Sequence, residues 1–335
     1  MKKFTTSLIG LLFLAVACNK QDAMAPEESQ QEDLPIITKR SCASYEVLQA
    51  QLEADPGLRV RMDKVEEYTN KVLKNPSAYR LVNGIIEIPV VVHVIYRTAE
   101  ENISDGQIKS QIEVLNQDYQ STNTDFNKLP SNSFQAVASS GLNVRFVLAQ
   151  TIHKSTTLKS WSTNDGVKSS KKKGDDPVDP LTKLNIWVCN LSNGILGYAQ
   201  FPGGNASTDG VVILYSAFGS RAIYRSGTYV KSYDLGRTAT HEVGHWMNLR
   251  HIWGDDNGAC SGSDLVTDTP NQGSENYGTP TYPHVSCSNA PKGDMFMNYM
   301  DYTDDISMYM FSAGQKDRML ATFAAAGPRV SFIAP

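Results

Sequence analysis

The sequence predicts an α+β fold: a mixed, twisted sheet carrying helices in an upper half, then an irregular lower half closed by a C-terminal helix. Three observations lead there. β-Branched apolar runs recur between residues 85 and 218 with an amphipathic helical stretch among them. After residue 251 Gly, Asp, Asn, Ser and Thr dominate and periodicity fades. One helical stretch, FSAGQKDRMLATFAAA, stands near the end. With 335 residues, 41% of them apolar, the chain can bury a sizeable core. A net charge of -4 with both signs interspersed offers no basic field to nucleic acid. Past the first 20 residues no apolar run is long enough to span a bilayer, so the bulk of the chain is expected to be soluble.

In chain order, MKK, the apolar run LIGLLFLAVA and the small residues Ala15-Val16-Ala17 read as an export signal over residues 1–17. Cys18 follows directly, and AVAC resembles a bacterial lipobox, although Leu is more usual where Ala15 stands. Cys18 is therefore expected to carry a lipid, the sole membrane contact, with simple secretion as the alternative. Residues 18–40, with NKQDAMAPEESQQEDLP, are polar and acidic like a tether. Residues 41–80 contain helical periodicity broken at Pro56-Gly57, which predicts two short helices, too little for a domain. The main domain, 81–335, opens with IIEIPVVVHVIY, a β-branched run that reads as a buried strand. SDGQIKSQIEVLNQDYQ is an amphipathic helix behind a Ser104 cap. LNVRFVLAQ, LNIWVCNL and DGVVILYSAF read as strands, and the charge-rich VKSSKKKGDDPVDP as a solvated loop. His93, within the first strand, is expected to be structural, and His153 and His284 to lie in loops. Export would place Cys42, Cys189, Cys260 and Cys287 where disulfides persist, with three connectivities open.

The chemistry concentrates in HEVGHWMNLRH, His241 to His251. At 3.6 residues per turn His241 and His245 share a helix face, so their imidazoles converge on one ion. With His251 they make a three-His zinc site whose fourth position is left to water, as in catalytic sites. Glu242, beside the first ligand, is placed to take that water's proton as general base. On a continuing helix His251 would sit about 240° further round than His245 and face away. The helix must therefore stop and turn sharply. Asn is the usual second choice after Gly for the left-handed residue that ends a helix, so Asn248 is expected at positive φ.

The zinc motif together with a later Met-containing turn is similar to the metzincin pattern. Within that clan the chain resembles the pappalysin (M43-like) family of secreted zinc metallopeptidases. The resemblance is carried by HEVGHWMNLRHIWGD, LNIWVCNL, LGYAQFPGG, DGVVILYSAFG, DLVTDTP, MNYMDYTDD and MFSAGQKDRM, within residues 85 to 325. Two departures are Asn248 for Gly and Ser307 where Cys is common.

The resemblance implies a metzincin-like catalytic domain in which Met300 forms the apolar floor of the metal turn. Tyr302 would approach the metal or stabilise the oxyanion. Asp305 would lie at the base of the pocket that follows the scissile bond, favouring Arg or Lys there. Cys260 and Cys287 match a family disulfide, and Ser307 implies that a second is absent. Asp264, Asp268 and Thr269 match a segment that binds calcium in relatives. Cys42, in KRSCASYE, resembles a cysteine switch whose thiolate holds the open zinc position in a zymogen. Its rival is a Cys42–Cys189 disulfide; otherwise Cys189 is a buried free thiol. Removal of residues 41–80 near Arg80 would then free the site. Together these features predict a zinc endopeptidase acting on protein or peptide substrates, bound extended along a sheet edge. A zinc-containing surface binding protein with an inactive site is the alternative, and Glu242 argues against it.

Overall fold

The sheet is built where the β-branched runs lie. In the structure, a computed structural model, Met1 and residues 37–75, 84–129 and 134–333 are described. The export signal beyond Met1, Cys18, most of the tether and the region around Arg80 lie outside the described residues. Apart from Met1, the described residues belong to one compact unit, Leu34–Pro335.

Five strands, β1 (Ile86–Tyr96), β2 (Val144–Ser155), β3 (Leu184–Cys189), β4 (Gly197–Ala199) and β5 (Val211–Leu214), form a sheet in the order β2-β1-β3-β5-β4. The first four of that row run parallel, and β4 is antiparallel to β5. β3 and β5 are buried throughout, which is why they read as unbroken apolar runs. The short edge strand β4, Gly-Tyr-Ala, is an addition to the sequence reading: three residues without a β-branched side chain give no periodic signal. Two helices precede the sheet, α1 (Ser44–Ala54) and α2 (Pro56–Lys74). They break at Asp55-Pro56, where Asp55 accepts the Gly57 N–H. α2, at 19 residues, is longer than the expected short helix.

α3 (Asp105–Tyr119) starts at Ser104, whose hydroxyl accepts the Gln107 N–H. α4 (Arg237–Trp246) carries the first two His of the motif and is buried along its whole length. Beyond it the chain is irregular, with a two-residue ladder between β6 (Tyr277–Gly278) and β7 (Tyr302–Thr303), until α5 (Ala313–Ala321) closes the fold. Cys260 and Cys287 are bridged, with their Cα atoms 5.4 Å apart, and staple this half. Cys42 and Cys189 are both free and buried, so they form no disulfide with one another.

Part of the charge-rich stretch turns inward, a departure from the solvated loop expected. Lys171 to Lys173 are exposed, but the Lys168 ammonium is buried between Asp165 at 2.8 Å and the Thr208 carbonyl at 2.7 Å. Asp175 reaches His93 Nδ1 at 2.7 Å, while His93 Nε2 meets Asn185 Oδ1 at 2.9 Å. His93 is thus structural. His153 lies in strand β2 and not in a loop, because the β1 partner extends the ladder to Ser155. His284 is in the irregular half, against Asp294.

One buried ionic network ties α3 to α4. Arg237 meets Asp118 at 2.6 Å, the Tyr299 hydroxyl at 2.5 Å and Asp125 at 3.1 Å. Thr240 donates to the other Asp118 oxygen, and the Tyr119 hydroxyl to the Thr240 carbonyl. Burial pushes Asp118 up to about 6, against the pull of Arg237. Removing one partner of such a pair leaves the other buried and uncompensated, so Arg237→Ala is expected to cost about 3–5 kcal/mol of stability in urea unfolding.

Candidate metal centre

The α4 sequence RTATHEVGHW places His241 and His245 one turn apart, and the helix stops directly afterwards. Asn248 has φ 74°. Its N–H bonds the His245 carbonyl at 2.8 Å, and the Leu249 N–H bonds that of Gly244 at 2.9 Å, the paired closure of a Schellman turn. The reversal brings His251 back beside the helix: its Nε2 lies 3.1 Å from His245 Nε2, which lies 3.1 Å from His241 Nε2.

Each ring is oriented from behind. His241 Nδ1 donates to the Tyr299 carbonyl at 2.7 Å and His245 Nδ1 to the Leu249 carbonyl at 2.8 Å. A carbonyl only accepts, so these two Nε2 atoms are the unprotonated ones. His251 Nδ1 contacts Asp255 Oδ1 at 2.6 Å, and its ring stacks on Trp253. Burial, followed by the neighbouring rings, holds His241 and His245 well below the usual histidine range, consistent with neutral ligands. Zinc ligands about 2.0–2.1 Å from a tetrahedral ion stand roughly 3.3 Å apart, so the donor set fits a zinc ion. Cys42 Sγ joins it: one atom from each of Cys42, His241, His245 and His251 lies within 4.8 Å of the others.

Glu242 lies in the same cleft. Its Oε2 accepts the Ser44 hydroxyl at 2.8 Å and the Cys42 thiol at 3.3 Å. Burial raises its carboxyl to about 7, with the Ser44 and Cys42 hydrogen bonds opposing. Burial, then the charge of Glu242, pushes the Cys42 thiol up. Gly197 of β4 makes room: a Cβ there would stand 2.8 Å from Glu242 Cγ. Met300 lies under α4, fully buried, and a Cβ on Gly244 would meet its sulfur at 2.6 Å. The Tyr302 hydroxyl is 3.3 Å from His251 Nε2 and exchanges hydrogen bonds with the Cys42 N–H and C=O at 3.2 and 3.0 Å.

Residues 40–44 fill the cleft, and of these the sequence reading had named Cys42 alone. Arg40, 1% exposed, pairs with Asp305 at 2.5 Å and also bonds Thr238 Oγ1 and the Thr303 carbonyl, each at 3.1 Å. Asp305 is fully buried and accepts the Leu235 N–H as well. Arg40, two residues before Cys42, was the available signal, but nothing local linked it to a carboxylate 265 residues away. Glu66 was missed likewise. It receives the Asn248 side-chain amide at 3.2 Å and pairs with Arg318 at 2.5 Å.

The segment of Asp264, Asp268 and Thr269, for which calcium was expected, is arranged differently from the His site. Asp264 accepts from Thr269 Oγ1 and the Val266 N–H, while Asp268 accepts from Ser312 Oγ and the Gly314 N–H at the start of α5. These carboxylates are engaged by protein donors, and among the described residues only the Cys42 and His cluster gathers three or more candidate His, Cys, Asp or Glu ligands.

The sequence model of the M43 peptidases, described as pregnancy-associated plasma protein-A, matches residues 168–324. An extracellular metalloprotease of Arthroderma otae is 32% identical over 260 residues, 75% of this chain and 82% of that protein. Another, from Pyricularia oryzae, is 34% identical over 71% of this chain and 75% of its own. Among solved structures, mature mirolysin of Tannerella forsythia in complex with a cleaved peptide is 46% identical, with TM-score 0.72 over 75% of this chain and 96% of its own. A promirolysin mutant is 41% identical, with TM-score 0.79 over 88% of this chain and 97% of its own.

Positive φ at Asn248 sets a requirement on that residue. Asn248→Gly is expected to keep the metal content measured by atomic emission, and Asn248→Val, strained at positive φ, to lower it and the melting temperature. Burial also raises Asp264 to about 7 from an ordinary 3.8. A raised carboxylate gives stability that is present below the unfolded value and lost as pH rises through the folded one. In EDTA, wild type should therefore lose melting temperature relative to Asp264→Asn between about pH 4 and pH 7.

Proposed function

The chain belongs to the M43 (pappalysin) family and is a metalloprotease acting on protein or peptide substrates, and we propose that it works as a zinc endopeptidase made as a latent precursor. The observation that carries this is the meeting of three buried imidazole nitrogens with Glu242, Tyr302 and Cys42 in one cleft. His241, His245 and His251 would hold the zinc. When bound, the ion supplies Lewis acidity that polarises a peptide carbonyl and acidifies water. Glu242 takes the proton of the attacking water and returns it to the leaving amine. The Tyr302 hydroxyl, freed from the Cys42 backbone, donates to the oxyanion. Met300 supports the helix that carries two of the ligands.

Latency follows from how residues 40–43 thread the cleft. The Ala43 N–H bonds the Gly197 carbonyl, the Leu196 N–H bonds the Ser41 carbonyl, and the bridge between Cys42 and Gly197 is parallel. Arg40 lies on Asp305 and Cys42 at the His triad. A substrate with Arg or Lys just after its scissile bond would run from the metal toward Asp305. The prosegment runs from Asp305 toward the metal, so its backbone passes the site in the opposite direction and offers no amide in cleavable orientation. The same Arg40 contact supports a pocket that selects basic residues after the cut, since the buried Asp305 needs a cationic partner.

In this reading residues 1–17 direct export, Cys18 carries the lipid, 18–40 are a tether whose last residue, Arg40, already lies in the cleft, and 41–80 are removed near Arg80. Support for export is the extracellular description of the fungal relatives. Calcium at Asp264, Asp268 and Thr269 is a further part of the reading, on the resemblance alone; added Ca2+ should then raise the melting temperature of wild type and leave Asp264→Asn unmoved.

Glu242→Ala is expected to lower kcat/KM on a fluorogenic peptide by about 10²–10⁴-fold with metal content unchanged. Equal activity in both proteins would remove the mechanism, whereas no cleavage by the processed wild type would favour a binding protein. Cleavage of a peptide library should show Arg or Lys after the cut, and Asp305→Ala should erase that preference.

A further inference from the structure

α2 presents one face to the domain at Leu58, Met62, Glu66, Thr69 and Val72, spaced by helical turns. At one end of this face Leu58 and Met62 pack on Phe201, whose ring stands 5.3 Å from that of His245. At the other, Val72 and Tyr68 pack on Ala321 and Ala324, and the Tyr68 hydroxyl accepts the Ala326 N–H at 3.0 Å. Between the two apolar ends lies a receptor for one carboxylate. Glu66 Oε1 meets Arg318 Nη2 at 2.5 Å, the Asn248 side-chain amide at 3.2 Å and Arg250 Nη2 at 3.9 Å. Arg318, 1% exposed, is itself fixed by donating from Nε to the Asn248 carbonyl at 2.8 Å.

None of these contacts touches the thiol of Cys42. They gather on the turn that separates His245 from His251, at the residue where this sequence departs from Gly. A glycine would make that turn equally well but would present no side-chain donor to Glu66. We propose that the Asn248, Arg250 and Arg318 face is a docking surface for a carboxylate on an apolar helix, through which Glu66 holds the prosegment independently of Cys42. This rests on residues 41–80 being the prosegment. Loss of the Cys42 contact then opens the metal side alone, and the prosegment leaves only when α2 also lifts from the back of the metal turn.

Hydrogen exchange of the full-length precursor tests this. Glu66→Gln keeps shape and removes charge, and should raise the exchange of α2 amides by at least about tenfold while α4 stays protected. Asn248→Gly should act in the same direction, and the double variant should exceed neither single one by much, as for residues sharing one interaction. Unchanged α2 exchange in Glu66→Gln, or full additivity, would overturn the docking surface. If Asn248→Gly also deprotects α4, Arg318→Gln replaces it in the cycle. Peptidase activity of the full-length precursor before and after removal of residues through Arg80 reads latency separately. A precursor as active as the cleaved protein, with α2 loosened by Glu66→Gln, removes the zymogen reading and leaves the docking surface. A latent precursor with α2 unmoved by Glu66→Gln does the reverse.

Discussion

Three buried imidazole nitrogens gathered within 4.8 Å of one another, two of them left unprotonated by the carbonyls behind their rings, are costly to hold together unless a cation lies between them. The rest of the structure is arranged around keeping them there. Each ring is held by its other nitrogen from a different part of the chain: the Tyr299 carbonyl of the Met300 turn, the Leu249 carbonyl of the helix's own end, and Asp255 of the loop beyond His251. The turn around Met300 therefore acts through its backbone as well as its side chain, because the Tyr299 carbonyl orients His241. The buried Arg237 network in turn links Tyr299 to α3 and to the start of α4, so the sheet half and the irregular half meet at the ligands.

Small residues set how closely these parts approach. Gly197 lets Glu242 lie against the edge strand, and Gly244 lets the Met300 sulfur press on α4. Glycine costs conformational entropy at both places, and close approach is what it provides in return. The edge strand does double duty: its Gly197 carbonyl pairs with the chain at Ala43, and its Ala199 N–H reaches the Ser44 hydroxyl that also binds Glu242. The segment that fills the cleft is thus bonded to Glu242, to the Tyr302 hydroxyl and to Asp305 at once.

Much of this was legible in the sequence for local reasons. Helical spacing put His241, Glu242 and His245 on one helix, and the impossibility of His251 facing the metal on a continued helix required a left-handed stop at Asn248. The strands β1, β3 and β5 were visible as β-branched runs because both faces of a central strand are buried. Strand β4 was not, since three residues at an edge, none of them β-branched, have no period to detect. Nor was the inward turn of Lys168 and Asp175, whose partners lie on other elements.

Residue type and spacing by themselves determined the candidate metal site, the stop between His245 and His251 and the core strands, because each depends on geometry within a few residues. Family likeness added the pairing of Cys260 with Cys287 and the identity of the Met300 turn. Only the tertiary structure decided that Arg40 would lie on Asp305, that Ser44 would reach Glu242, and that Asn248 would answer Glu66. Those contacts join residues 182 to 265 positions apart, and no local pattern encodes a distance that exists only once the sheet, the helix of the first two His and the two leading helices have packed together.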